Sequence, residues 1–341
     1  MTNKPFAIIL PSKGAIADPT LSFMRDCGLP IDKPNQRQYI GSISTIPSLM
    51  VLFQRATDVL YKVADGSAQL GITGLDIVAE TPRENVIIIS DKLGYGHCSL
   101  VVAVPDMWVD VDCMADLADV TLEFRDHKHR NIRIGTKYPT LARRFLYQHN
   151  IYYFTLVKAD GAIEAAPALG YADIIIDLTQ TGTTLRENNL RILSDGTLLK
   201  SQACLIGNKQ ALQTDSELRA TVRILLEYID AAQRGKNYYQ LVANIQGVNA
   251  EEIGGMLASN PITFGLQGPT ISPIYTDVKK SYDRNAWFTL TIIIESRNLL
   301  SAIEYVRSIG GTQTIASPVR YVFLEESPSY QNLVKALDIT D

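Results

Sequence analysis

The chain has 341 residues, a formal net charge of −4, 46% hydrophobic and 20% charged residues. That length allows two or three domains with separate cores, and the lack of a cationic surplus excludes a general electrostatic grip on nucleic acid. No apolar run approaches the ~20 residues that span a bilayer. Cys27, Cys98, Cys113 and Cys204 are scattered without a C-x-x-C pair, against a disulfide framework or a zinc site, so a soluble, cytoplasmic protein with no membrane partner is expected.

In chain order, PFAIIL reads as a strand running into PSKGAIADPT, and a helical stretch then leads to QYIGS. SLMVLFQ and QLGITG read as strands with a helix near residues 58–65 between them. NVIIISDKLGYGHCSLVVAVP holds two strands around a glycine-rich turn. NIRIGT, YFTLVKA, ADIIIDL and SQACLIG follow as strands, with TLARRFLYQH and GAIEAAPALGY as helices between them. The charged run RDHKHR, with His127 and His129, reads as a solvated loop and not as a metal site. Strand, helix, strand repetition implies α/β units on parallel sheets, and so many strands before residue 208 imply two sheets with a cleft between them.

The stretch DSELRATVRILLEYIDAAQRGKN places Leu218, Val222, Leu225, Leu226 and Ile229 at helical spacing, with Asp215 as a cap and Gly235 as a stop. Beyond it YYQLVANIQ, AEEIGGMLASN, TISPIYT, WFTLTIIIE, RNLLSAIEYVRSIG and QTIASPVRYVF follow the order βαββαβ of a ferredoxin-like domain. The expected organisation is therefore a first lobe from residues 1–104 and 199–234, a second lobe from 105–198, and a C-terminal ferredoxin-like (ACT-like) domain from 236–341. Small appended domains of this kind bind amino acids or mediate assembly.

The segment DIIIDLTQTGTTLRENNL joins an apolar strand to a helix start through a loop of threonines, one glycine and no lysine. Gly182 permits close approach of a phosphate, and Thr179, Thr181, Thr183 and Thr184 supply hydroxyls, as backbone N–H groups would at the helix start. Asp177, at the strand end, is placed to accept hydrogen bonds from vicinal ribose hydroxyls or to help hold a divalent cation beside a pyrophosphate. The bland alternative is a polar turn whose threonines cap the helix. The loop is not a P-loop, since it lacks the GK[ST] ending.

DLTQTGTTLRENNL resembles the phosphoribosyl-pyrophosphate (PRPP) loop of the ATP phosphoribosyltransferase family, which opens histidine biosynthesis. LPSKG, RATDVLYKVADGSAQLGITGLDIVAE, KLGYGHCSL, RIGTKYPTLARRFL, GAIEAAPALGYADIIIDL and KSQACLIGN match that family in the same order, and the C-terminal module is similar to the regulatory domain of its long form. The resemblance implies two α/β lobes of the periplasmic-binding-protein-like, type IV phosphoribosyltransferase kind. It implies Mg²⁺-dependent transfer of phosphoribosyl from PRPP to N1 of ATP, with histidine as feedback inhibitor and a homo-oligomer, dimer or hexamer, as the assembly.

On that resemblance Asp177, Thr179, Gln180, Thr181, Gly182, Thr183 and Thr184 are the PRPP-side residues, Asp177 with Glu164 would act on the ribose, and Asp177 would bear on the metal through PRPP. Lys13, Arg55, Asp58, Gly94 and Tyr138 are the ATP-side candidates. Glu164 has as its lesser alternative a first-turn acid complementing a helix dipole. Lys13 and Arg55 read equally as surface charges, and Tyr138 as packing before a proline. Two departures stand out: KGAI puts Ala15 where the family has arginine, and NNL puts Asn189 where it has glycine. Residues 258–288, ASNPITFGLQGPTISPIYTDVKKSYDRNAWF, form a longer stretch than the family's. A non-catalytic two-lobe protein that binds a nucleotide or other solute is the second class open to this sequence.

Overall fold

The computed structural model describes residues 5–33, 35, 38–158, 161–275 and 286–339. Two compact units emerge, one from Met1–Arg25, Leu29–Thr221 and Asn332–Asp341, the other from Asp26–Gly28 and Val222–Gln331. Residues 332–339 thus pack with the first unit, whereas the sequence reading runs the C-terminal domain from 236 to 341.

The first unit opens with β1 (Phe6–Pro11), α1 (Ala17–Asp26), β2 (Ile31–Asp32), β3 (Ile40–Ile43), β4 (Leu49–Gln54), α2 (Ala56–Ala64), β5 (Leu70–Gly74), α3 (Leu75–Glu80) and β6 (Val86–Ser90). It continues with β7 (Cys98–Pro105), α4 (Met114–Lys128), β8 (Ile132–Thr136), α5 (Pro139–Gln148), β9 (Phe154–Lys158), β10 (Ile174–Thr179), α6 (Thr183–Glu187) and β11 (Leu190–Ser201). β12 (Ala203–Asn208), α7 (Lys209–Thr214) and α8 (Ser216–Gly235) follow. These strands make two sheets, ordered β2-β3-β4-β1-β5-β12-β6 and β11-β7-β10-β8-β9.

Both sheets are mixed, not parallel as the alternating elements imply. β1 runs parallel to β4 and β5, and β8 parallel to β9 and β10. β12 pairs antiparallel with β5 and β6, and β7 antiparallel with β10 and β11. β7 and β12 are the two strands that follow a crossing from the other sheet, and each arrives in the opposite sense to its neighbours. The chain changes sheets at residues 91–97 and at Gln202, so β7 belongs to the second lobe, while the expected boundaries of 104/105 and 198/199 assign most of it to the first.

Burial follows strand position. Ile8, Leu10, Val51, Leu70 and Ile72 are buried in the first lobe, and Leu100, Val102, Ile134, Ile174 and Ile176 pack with Leu141 and Leu146 of α5 in the second. A strand covered on both faces is apolar at every position, which is why FAIIL and ADIII read as continuous runs.

Three stretches differ from the sequence reading. GAIEAAPALGY forms only a 3₁₀ turn over Ile163–Ala165, because Pro167 has no N–H for the carbonyl of residue 163 and the ladder cannot continue. RDHKHR is not a loop: it is the last turn of α4, closed by His129 in the left-handed conformation (φ 50°). Residues 190–201, unassigned in the sequence, are the twelve-residue strand β11, irregular between Ile192 and Leu199.

The second unit contains β13 (Tyr238–Gly247), α9 (Ala250–Ala258), α10 (Pro261–Phe264), β14 (Thr270–Pro273), β15 (Ala286–Glu295), α11 (Leu299–Ser308), β16 (Thr312–Pro318) and the start of α12 (Pro328–Leu337). Its sheet, β14-β15-β13-β16, is antiparallel throughout and has the ferredoxin-like order. Leu241, Ala243, Ile245, Leu290, Ile292 and Ile294 pack one face against Ile253, Leu257, Ala302 and Val306 of α9 and α11. Of the longer stretch 258–288, residues 276–285 lie outside the described residues. Among the described residues no helix is long and apolar enough to cross a membrane.

One buried carboxylate ties the second lobe together. Asp173 accepts from Arg130 at 2.6 and 2.9 Å, from the Arg133 backbone N–H at 2.8 Å and from the Arg133 guanidinium at 3.0 Å. Burial alone would raise its pKa, but the two arginines outweigh it and hold the carboxyl well below the usual range. A depressed folded pKa contributes stability in full above the unfolded value of about 4, and loses it as pH falls below that value. Asp173→Asn is expected to lower unfolding free energy at pH 7 by about 2 kcal/mol, with the difference narrowing below about pH 4. Urea titrations at both pH values check this.

Candidate active site

A cleft of about 540 Å³ is lined from both sheets of the first unit. The first lobe contributes Lys13 and Ala15 from the loop after β1, Ala56 at the start of α2, and Gly74 and Asp76 around the end of β5. The second contributes Tyr138 before α5, Glu164, and the run from Asp177 to Leu185 except Gly182. Loops after sheet strands build both walls, where successive βα units leave their polar ends.

The threonine loop is held by its own hydroxyls. Gly182 donates its N–H to Thr179 Oγ1 at 2.9 Å, Thr181 and Thr183 share a hydrogen bond at 2.9 Å, and Arg186 donates to Thr183 Oγ1 at 3.3 Å. Gly182 is buried with φ 74°, a left-handed conformation in which a β-branched side chain is strained. Asn189 also adopts the left-handed conformation (φ 54°), so it occupies the backbone state that glycine takes most readily. The helix after the loop, α6, has only five residues.

Asp177 ends β10 inside this cleft. Burial pushes its carboxyl above the ordinary range and nearby Glu164 pushes the same way, while the Leu178 N–H and Lys137 act against them. Glu164 lies in the 3₁₀ turn, so the helix-dipole role open to it in the sequence has no helix behind it. Tyr138 donates its hydroxyl to Asp76 Oδ2 at 2.8 Å, and burial, then Asp76, Asp177 and Cys98, keep that hydroxyl protonated far above its usual range. Cys98 also lines the cleft, and burial followed by Asp76 raises its thiol.

Of the sequence-named residues, Lys13, Tyr138, Glu164, Asp177, Thr179, Gln180, Thr181, Thr183 and Thr184 line one cavity. Gly182 lies within the same loop. Arg55 and Asp58 do not line it: both are exposed at the start of α2, where Ala56 between them faces the cleft. Gly94 lies in the exposed crossing segment, donating its N–H to Gln202 Oε1 at 3.2 Å. Asp76, Ser201 and Lys137 were missed. Asp76 stands in the quoted TGLD, yet nothing local marks it out, because its partners come from distant segments.

Two lobes with a threonine loop and two carboxylates facing one cleft fit a phosphoribosyl-transferring glycosyltransferase, and the relatives of the chain decide the class. Residues 55–231 match the model of the family described as ATP phosphoribosyltransferase. The chain is 36% identical over 336 residues to ATP phosphoribosyltransferase 2, chloroplastic, of Arabidopsis thaliana, covering 97% of this chain and 80% of that one. It is 33% identical over 336 residues to the ATP phosphoribosyltransferase of Rhodopseudomonas palustris (strain HaA2), covering 98% of each. The ATP phosphoribosyl transferase complex from Thermotoga maritima superposes with a TM-score of 0.50 at 22% identity, over 66% of this chain and 96% of that chain, a likeness of fold. The chain belongs to the ATP phosphoribosyltransferase family. Membership decides for an enzyme over the solute-binding alternative.

The raised Asp177 carboxyl has a thermodynamic consequence. A folded pKa above the unfolded value of about 3.9 means the folded state binds more protons, so stability falls as pH rises through that window and the penalty persists at neutral pH. Asp177→Asn is expected to raise the thermal midpoint at pH 7, with the gain vanishing below about pH 4. Calorimetric melts at the two pH values test this; a lower midpoint at pH 7 would contradict it.

Proposed function

We propose that this cleft transfers phosphoribosyl from PRPP to N1 of ATP, giving phosphoribosyl-ATP and pyrophosphate, as the first step of histidine biosynthesis. The observation that carries the reading is the convergence of Asp177, Glu164 and the Thr179–Thr184 loop on one cavity. As the anomeric C–O bond breaks, positive charge develops on the ribose, and a carboxylate beside it stabilises that charge. Asp177 is the group for this task and for accepting the ribose hydroxyls, with Glu164 at its side. The loop's hydroxyls and backbone N–H groups would take the phosphates, and Lys13 on the opposite wall the triphosphate. Ala15 offers no side-chain contact where the family's arginine would, so the adjoining Lys13 is the cation of that loop.

Mg²⁺ is the cofactor we propose. Among the described residues no group of three or more His, Cys, Asp or Glu side chains gathers to hold a metal. The donor set therefore fits an ion carried with the substrate's phosphates, with Asp177 and Glu164 as its protein-side carboxylates. Bound there, the ion would neutralise charge on the departing pyrophosphate.

The second unit, with a core of its own, supports a regulatory role with histidine as inhibitor, and a homo-oligomer as the working assembly. Inhibition from a separate unit requires that histidine bind one arrangement of the enzyme better than another. The scattered free cysteines suit a reducing, cytoplasmic setting.

Purified protein incubated with ATP, PRPP and Mg²⁺ is expected to form phosphoribosyl-ATP, followed by its absorbance, with added histidine lowering the rate. Asp177→Asn should cut kcat at least about tenfold, the equivalent of one hydrogen bond to a charged group. Unchanged kinetics in that variant would sink the role given to Asp177.

A further inference from the structure

The helix α3 of the first lobe carries two carboxylates four residues apart, and both are committed to the same end of α5 in the second lobe. Asp76 is only 5% exposed. Its Oδ2 accepts the Tyr138 hydroxyl at 2.8 Å and its Oδ1 the Ser201 hydroxyl at 2.8 Å, while Ser201 Oγ accepts the Asp76 N–H at 2.9 Å. One turn on, Glu80 Oε1 accepts the Thr140 N–H at 2.8 Å and Oε2 the Leu141 N–H at 2.9 Å. Residues four apart share one face of a helix, so the two acids act side by side.

The local sequence of α5 explains why it needs them. Tyr138 precedes the helix and makes no side-chain cap, and Pro139 at the first position has no N–H. The next two N–H groups are therefore the first that must be satisfied, and a residue of the other lobe satisfies both. A carboxylate at a helix N-terminus is also on the favourable side of its dipole. Asp76 is only 5% exposed and each of its oxygens accepts a protein hydroxyl, so its carboxylate is committed first to Tyr138 and Ser201 although it lines the cleft. Its effect runs through Tyr138.

We infer that Asp76 and Glu80 are positioning residues for the transfer, clamping α3 to the start of α5 so that the two walls of the cleft hold their ligands at one spacing. This rests on the transfer reaction proposed above. Lys13 and Ala56 stand on one wall and Asp177 with the threonine loop on the other, so each wall keeps its own contacts if the clamp opens. What is lost is the relative placement of the reacting atoms, to which a two-substrate reaction is most sensitive. The clamp should therefore appear in kcat and not in affinity.

Two variants test it in the full chain. Tyr138→Phe removes one hydroxyl and keeps the ring, and Glu80→Gln keeps size but weakens the cap on Thr140 and Leu141. In both, amide hydrogen exchange of the substrate-free protein should accelerate at residues 140 and 141 by about tenfold. kcat should fall about tenfold, and the calorimetric Kd of ATP and of PRPP should each stay within about twofold. Unchanged exchange in both variants, or a loss confined to Kd with kcat intact, would overturn the clamp. A wild-type protein that forms no phosphoribosyl-ATP would overturn the transfer reaction instead, and the exchange data, which need no turnover, would still decide whether Asp76 and Glu80 hold α5.

Discussion

The first unit depends on the two places where its backbone passes from one sheet to the other. These crossings lie against each other: Ala203 donates its N–H to the Tyr95 carbonyl at 3.0 Å, and Leu75 donates to the carbonyl of Gln202 at 3.0 Å. With Gly94 bonded to the Gln202 side chain, the crossing strands form one hydrogen-bonded ribbon and not two independent linkers. β7 and β12 each continue from the crossing into a position one strand in from the edge of the new sheet, so both sheets contain a strand that begins at the crossing.

That arrangement places acidic groups where water is scarce. Asp177, Glu164 and Asp76 all face one cleft, and burial there raises the Asp177 carboxyl, the Tyr138 hydroxyl and the Cys98 thiol together. Elsewhere in the same unit Asp173 shows the opposite shift, because two arginines reach it. The contrast is one of partnership: two guanidinium groups hydrogen-bond the Asp173 carboxylate, whereas Asp177 has only the Leu178 N–H and the field of Lys137 against its burial, so burial decides its shift.

Much of this was legible because it is local. Continuous apolar runs marked β1, β10 and β12, helical spacing marked α8 with the Asp215 carboxylate accepting from the Leu218 N–H at 3.0 Å, and the βαββαβ order of the second unit followed from alternation alone. The threonine loop was legible as a strand-to-helix turn because its composition and its place after a strand fall within fifteen residues. What was not legible is non-local. Tyr138 and Asp76 are 62 residues apart, and Ser201 and Asp76 are 125 apart, so no window of periodicity can join them. Arg55 and Asp58 failed for the converse reason: their segment reaches the cleft, but helix geometry turns Ala56 inward and leaves both charged side chains in solvent. The 3₁₀ turn at Ile163 escaped because an alanine-rich string reads as helix until the proline's missing donor is counted.

The sheet of the second unit ends on each side in a short strand closed by a proline, Pro273 on β14 and Pro318 on β16. Edge strands expose a row of unmatched donors and acceptors and will recruit any extended chain that fits them, which is how many folded proteins begin to polymerise. A four-residue edge and a seven-residue edge, each terminated by a residue that cannot donate, leave little ladder to extend. Among the described residues, these two edges therefore disfavour open-ended addition of strand to strand, and the side chains on helix and sheet faces are the surfaces where complementarity can be specific and self-limiting.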